Sequence, residues 1–138
     1  MTTPIQPIAF LPDDGYVAGA CNIGPWEIRQ RRLFAIASFV VAAVVFGLAV
    51  AMSTPIAFRL IVLFPMWGGF FSWLQARRRF CAGYAVSRKR NFGDSHAGLG
   101  TVDDEAAHRA DMAAVARMTR DSFLLAVVPS VVLALLPI

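Results

Sequence analysis

The side chains that could do chemistry in this sequence are few, and most fall in one stretch. His96 and His108 lie near Asp94, Asp103, Asp104 and Glu105. Either histidine beside Asp94 or Glu105 would suit proton transfer, and neighbouring arginines could hold a phosphate for it to act on. Asp103, Asp104, Glu105 and His108 also offer donors to a metal. Acids massed in the first turn of a helix have a simpler reason to be there, since the positive end of the helix dipole favours them. Cys21 and Cys81 have no histidine close by and are too few for a zinc centre. No glycine-rich phosphate loop, nucleophile elbow or metalloprotease signature is present. The expectation is a protein with no catalytic residue, no metal and no cofactor of its own.

The elements that must position these groups belong to a membrane. From Leu33 to Met52 twenty residues pass without a charge, about what a helix needs to cross ~30 Å of hydrocarbon. Leu60 to Ala76 adds seventeen more, and Ile56 to Phe58 extend that run across Arg59. In lipid the backbone must satisfy its own hydrogen bonds, so such runs are helices. The reading is a transmembrane hairpin over 24–79, with spans at about 33–52 and 56–76. Thr54 is expected to cap the second helix and Pro55 to open it. Arg59 is expected to snorkel to the interface beside the turn.

Charge orients the hairpin. Of thirteen basic residues, Arg29, Arg31 and Arg32 precede the first run, and Arg77, Arg78, Arg79, Arg88, Lys89 and Arg90 follow the second. These nine flank the hairpin away from its turn, the positive-inside pattern, which puts both ends in the cytoplasm of a cell with an inner membrane. At that depth they would meet anionic lipid headgroups. Nucleic acid is not an expected partner, because topology alone asks for basic residues there. The two cysteines would then sit in a reducing compartment as thiols.

Within the spans, two ladders of small residues invite close helix approach: Ala43, Gly47 and Ala51 in the first, Gly68, Ser72 and Ala76 in the second. Counted outward from the turn, the ladders lie at different depths, so each receives bulky neighbours or a helix from another protein. Pro65 removes a backbone hydrogen bond mid-span and is expected to kink the second helix. Trp67 follows at a depth without water, where a carbonyl freed by Pro65 could accept its indole N–H. The kink, Gly68-Gly69 and Trp67 form a packing site for a helix, a lipid, a quinone or a pigment.

The remaining segments are shorter. Residues 1–23 read as a cytoplasmic, extended arm, apolar through Ile5, Ile8, Phe10, Leu11, Tyr16 and Val17. Asn22 or Gly24 would cap a helix opened by Pro25, with Trp26 anchored among headgroups. The run Cys21-Asn22-Ile23-Gly24-Pro25 and the pair Phe80-Cys81 stand out without belonging to a known motif. Residues 80–121 read as a cytoplasmic basic segment, with helix to Tyr84, a loop, and an amphipathic helix capped by Thr101 and striped by Met112, Val115 and Met118. Glu105 with Arg109, and Arg117 with Asp121, have the spacing of helical ion pairs. Residues 122–138 are uncharged and form a short third span, which puts the C-terminal end opposite the cytoplasm.

The fold class expected is thus an all-α integral membrane protein: a hairpin, a cytoplasmic amphipathic helix and a short C-terminal transmembrane helix. The spans carry no Asp, Glu, His or Lys, which weighs against a pump, a transporter or a channel acting alone. The function expected is that of a non-catalytic accessory or assembly subunit of a larger bacterial membrane complex, with a respiratory or photosynthetic electron-transfer complex as host. Its partners would be other membrane subunits. The alternatives are a lipid-binding protein or enzyme at the inner-leaflet headgroups, and a self-associating scaffold.

Overall fold

A computed structural model describes residues 15–96 and 99–138. The chain is mostly helical: α1 (Pro25–Ala51), α2 (Ile56–Arg78), α3 (Ala82–Val86) and α4 (Glu105–Ala134), with strands β1 (Lys89–Asn91) and β2 (Leu99–Thr101). Two of these helices, α1 and α2, are long and apolar enough to cross a membrane. The described residues divide into two compact units, one of Arg31–Leu74 with Met118–Ile138, the other of the described residues up to Gln30 and between Gln75 and Arg117.

In the first unit the hairpin turn differs from expectation in who caps what. Ser53 adopts φ +53°, which swings Thr54 back over the end of α1. The Thr54 N–H then donates to Ala49 O at 3.0 Å and the Ser53 N–H to Val50 O at 2.9 Å, the paired bonds of a Schellman ending. Thr54 Oγ1 also donates to Ala49 O at 2.9 Å. Thr54 therefore closes the first helix, and Pro55 stands in the cap position before the second. In α2 the disturbance expected at Pro65 appears one turn earlier, as a 3-10 turn over Leu60–Val62 followed by regular helix from Leu63 to Arg78. The proline lacks an N–H for Ile61 O and its ring crowds that carbonyl, so the preceding turn tightens.

Arg59 does not reach for solvent. It is buried, and its guanidinium donates to main-chain oxygens of Thr54 at 3.2 Å, Leu136 at 3.1 Å and Ile138 at 2.7 Å. These bonds bring the end of α4 to the turn end of the hairpin. α4 itself is one helix where two segments were expected, and it carries Pro129 inside. Its buried residues Met118, Ser122, Ala126, Ser130 and Ala134 recur every four positions, the spacing that lets helices approach closely. On the part of α1 in this unit the buried positions are Ala35, Ala42 and Ala49. Gly69 of α2 is obligatory in this unit: a Cβ there would fall 2.6 Å from the Phe39 ring.

The second unit corrects the all-α expectation. β1 and β2 pair antiparallel with Arg90 opposite Gly100, and Ile23 bridges to Asn91 in parallel. Such short strands have no alternating apolar pattern to betray them; a Cβ on Gly100 would come within 3.1 Å of the Arg90 side chain. Thr101 ends β2 rather than capping α4. The cap is Asp104, whose Oδ2 accepts the Ala107 N–H at 2.9 Å. Glu105 pairs across the loop with Arg88 at 2.9 Å. Arg120 pairs with Asp121 at 2.8 Å. α2 stops at Arg78 instead of running to Tyr84: Arg79 takes φ +54°, and the Phe80 N–H closes the end on Gln75 O at 3.0 Å. Residues 15–23, expected as part of an extended arm, form a tight turn with a Val17–Cys21 bridge and Gly19 at φ +71°. Ile5, Ile8, Phe10 and Leu11 lie outside the described residues.

Candidate functional site

The two short runs that stood out in the sequence bind each other. Asn22 is fully buried and uses every polar group it has. Its side-chain amide donates to Cys81 O at 3.1 Å and accepts the Cys81 N–H at 2.7 Å. Its own N–H donates to Arg79 O, and its carbonyl accepts the Asn91 N–H at 2.9 Å. Asn91, equally buried, passes its carbonyl to the Gly24 N–H at 2.9 Å and its side chain to Ser95 O and the Gly93 N–H. Gln75 Oε1 takes the Ala82 N–H at 3.0 Å. Buried amides satisfied to this degree hold one geometry, because any alternative strands a polar group. A Cβ on Gly24 would meet the Phe92 backbone at 3.0 Å, so glycine is needed where these segments touch.

Against this knot lies a chain of titratable groups. Glu27, in the first turn of α1, is 2% exposed. The Tyr84 hydroxyl donates to its Oε2 at 2.8 Å, and His96 Nδ1 stands 3.0 Å from the same hydroxyl. Tyrosine has one proton, and a carboxylate can only accept. With that proton donated to Glu27, the Tyr84 oxygen is left to face His96 Nδ1 as an acceptor, and the His96 side chain is exposed. Burial first, and then the bond to Glu27, push the Tyr84 hydroxyl up to about 12. Trp26, expected as a headgroup anchor, packs edge-on against the His96 ring at 5.0 Å. The histidine was foreseen, but its partners are Tyr84 and Glu27 rather than Asp94 or Glu105. The His108 Nδ1 is buried with no hydrogen-bond partner.

A second clamp fixes the 15–23 turn. Asp111, fully buried on α4, accepts the Tyr16 hydroxyl at 2.8 Å and the Gly19 N–H at 2.6 Å. Burial and this bond raise the Tyr16 hydroxyl above its ordinary range. Cys21 is likewise raised by burial, which keeps it a thiol and a poor nucleophile.

In the first unit, Trp67 finds its acceptor on another helix, not at a carbonyl freed by Pro65. Its Nε1–H donates to Ser122 Oγ at 3.1 Å, which donates onward to Thr119 O at 3.0 Å. Phe123 packs edge-on to the indole at 5.3 Å. Of the two small ladders, Ser72 is buried and Gly68 half-buried, whereas Ala43, Gly47 and Ala51 are exposed, with nothing within 4 Å of a Cβ on Gly47. Pro65 is half-buried.

The basic residues divide. Arg29, Arg32, Arg77, Arg78 and Arg79 are exposed; Arg31, Arg88, Lys89 and Arg90 are half-buried. Arg88 is engaged by Glu105. Arg90 donates to Thr101 O at 2.7 Å and lies 5.5 Å from the Tyr16 ring centre. Among the described residues no three His, Cys, Asp or Glu side chains gather as a metal site. Sequence reasoning passed over Asn22 as more than a cap, and over Asn91, Gln75, Tyr84, Asp111 and the Ser122-to-Ala134 ladder. Only the ladder had a readable signal, its four-residue spacing. No family model, curated protein or solved structure matches this chain.

Proposed function

We propose that the protein is a non-catalytic accessory or assembly subunit of a larger membrane complex. It would lie in the inner membrane of a bacterium, with its basic clusters on the cytoplasmic side and residues 122–138 as a third crossing. The observation that carries this reading is on α1. Its buried small positions are Ala35, Ala42 and Ala49, while the Ala43, Gly47 and Ala51 ridge stays open. An open small-residue ridge on a membrane helix is what the close approach of a helix from another subunit uses. The bonds from Arg59 to Leu136 and Ile138 support the third crossing, since they join the end of α4 to the turn end of the hairpin.

The test is gentle extraction with photocrosslinkers at Gly47 and Val44. A stoichiometric crosslinked partner is expected, and Gly47→Leu should remove it without unfolding the chain, because Gly47 is exposed and a Cβ there meets nothing within 4 Å. Crosslinks only to lipid would overturn the reading, and crosslinks to a second copy would replace it with a scaffold. A second reading, chemistry on lipid headgroups, is favoured by the Glu27–Tyr84–His96 chain, which runs from a buried carboxyl to an exposed histidine. A His96→Ala strain with unaltered growth and lipid profile would remove it.

A further inference from the structure

We infer that Arg79 is a phosphate-binding residue whose ligand is the phosphodiester group of an anionic phospholipid at the basic end of α2. Two arginines of the second unit adopt left-handed backbone, Arg79 at φ +54° and Arg88 at φ +58°. In that region a Cβ crowds the following carbonyl oxygen, a cost that glycine escapes. Helices that end in this way most often carry glycine there. The backbone at Arg79 is held from both sides and cannot relax into a cheaper region. Its carbonyl accepts the N–H of the buried Asn22 at 3.1 Å, and the next residue, Phe80, is 1% exposed and closes α2 on Gln75 O. The reason for an arginine at such a position lies in its side chain.

For Arg88 that reason is inside the protein: its Nη2 donates to both Glu105 oxygens, at 2.9 and 3.2 Å. Arg79 has no such counterpart. Its side chain is exposed, and among the described residues its guanidinium has neither a hydrogen bond nor a carboxylate partner. The helix dipole does not call for it either, since Arg77 and Arg78 already stand in the last turn of α2.

Position and charge name the ligand. α2 is long and apolar enough to cross a membrane and ends at Arg78. Within the membrane placement proposed above, on which this inference rests, Arg79 therefore stands where the helix leaves hydrocarbon for headgroups. The planar fork of a guanidinium matches two oxygens of a phosphate. No acid occurs between Glu27 and Asp94, and Arg77 and Arg78 directly precede Arg79. A headgroup of net negative charge suits this stretch better than one that also bears an ammonium. No partner subunit is needed for it.

The full chain, equilibrated in vesicles of equal phosphatidylglycerol and phosphatidylcholine and released in mild detergent, is the material for native mass spectrometry. Retained lipid is expected to favour phosphatidylglycerol. Arg79→Gly should cut that preference about fivefold, the worth of one basic side chain at an anionic surface. The same variant, in detergent without lipid, should melt a few degrees higher than the unaltered protein. Arg29→Gln removes an equal charge from another exposed position and should lower the preference by less than about twofold. In the unaltered protein, vesicles of phosphatidylglycerol but not of phosphatidylcholine should shield Arg79 from phenylglyoxal, read by peptide mass. Equal losses in the two variants would mean a diffuse field without a site. A melting temperature that fails to rise in Arg79→Gly would mean that the side chain serves the fold. Displacement of the lipid by inorganic phosphate would mean a soluble ligand. Each of these overturns the inference, as does retained lipid without preference or an unshielded Arg79. A chain that stays in solution without detergent overturns the membrane placement as well, and fractionation alone tells that failure from the others.

Discussion

Two glycines that look alike in the sequence differ by what surrounds them. A Cβ on Gly69 would sit 2.6 Å from Phe39, while one on Gly47 meets nothing within 4 Å. Gly69→Ala is therefore expected to cost about 1–3 kcal/mol by forcing Phe39 off its rotamer, and Gly47→Ala to leave the isolated chain at least as stable; thermal unfolding in detergent separates them. The tyrosines make a second prediction. Tyr84 and Tyr16 both hold their protons more tightly in the folded protein than in the unfolded chain. Their contribution is complete below about pH 10 and is lost as pH rises through the folded values, for Tyr84 about 12. The melting temperature should decline above pH 10, and less so in a Tyr84→Phe/Tyr16→Phe protein. A decline of equal steepness in that variant would place the loss elsewhere. The weight of these residues was not legible beforehand, because a tyrosine's role here depends on Glu27 and Asp111, which lie 57 and 95 positions away.

At the level of elements, the helices were legible and their endings were not. Apolar length marks α1 and α2, but Ser53 and Arg79 end them in the left-handed region without a glycine to advertise it. α4 was misread as two segments because its character changes near Asp121 from charged to apolar, although the backbone runs through. Arg59 then fastens its far end. Arg59→Gln is expected to lose about 2–3 kcal/mol, the worth of charge-assisted bonds to main-chain oxygens. Hydrogen exchange should rise most over Leu133 to Ile138; uniform exchange across the hairpin would show that Arg59 has no such local hold.

For the molecule as a whole, the expected outcome is topological. A reporter fused after Arg90 should be active only on the cytoplasmic side, and one after Ile138 only on the opposite side. Cytoplasmic activity at both would remove the third crossing while leaving the hairpin intact. What the order of residues determined by itself is the pair of long apolar helices and their basic flanks, since unbroken apolar runs and the arginines around them are matters of local composition. Tertiary structure alone decided which small-residue ridge is used inside, how Asn22 and Asn91 lock the segments around Cys81, and which acid His96 reaches through Tyr84. Each of those depends on segments far apart in the chain meeting at hydrogen-bond distance, and no single stretch of sequence carries that information.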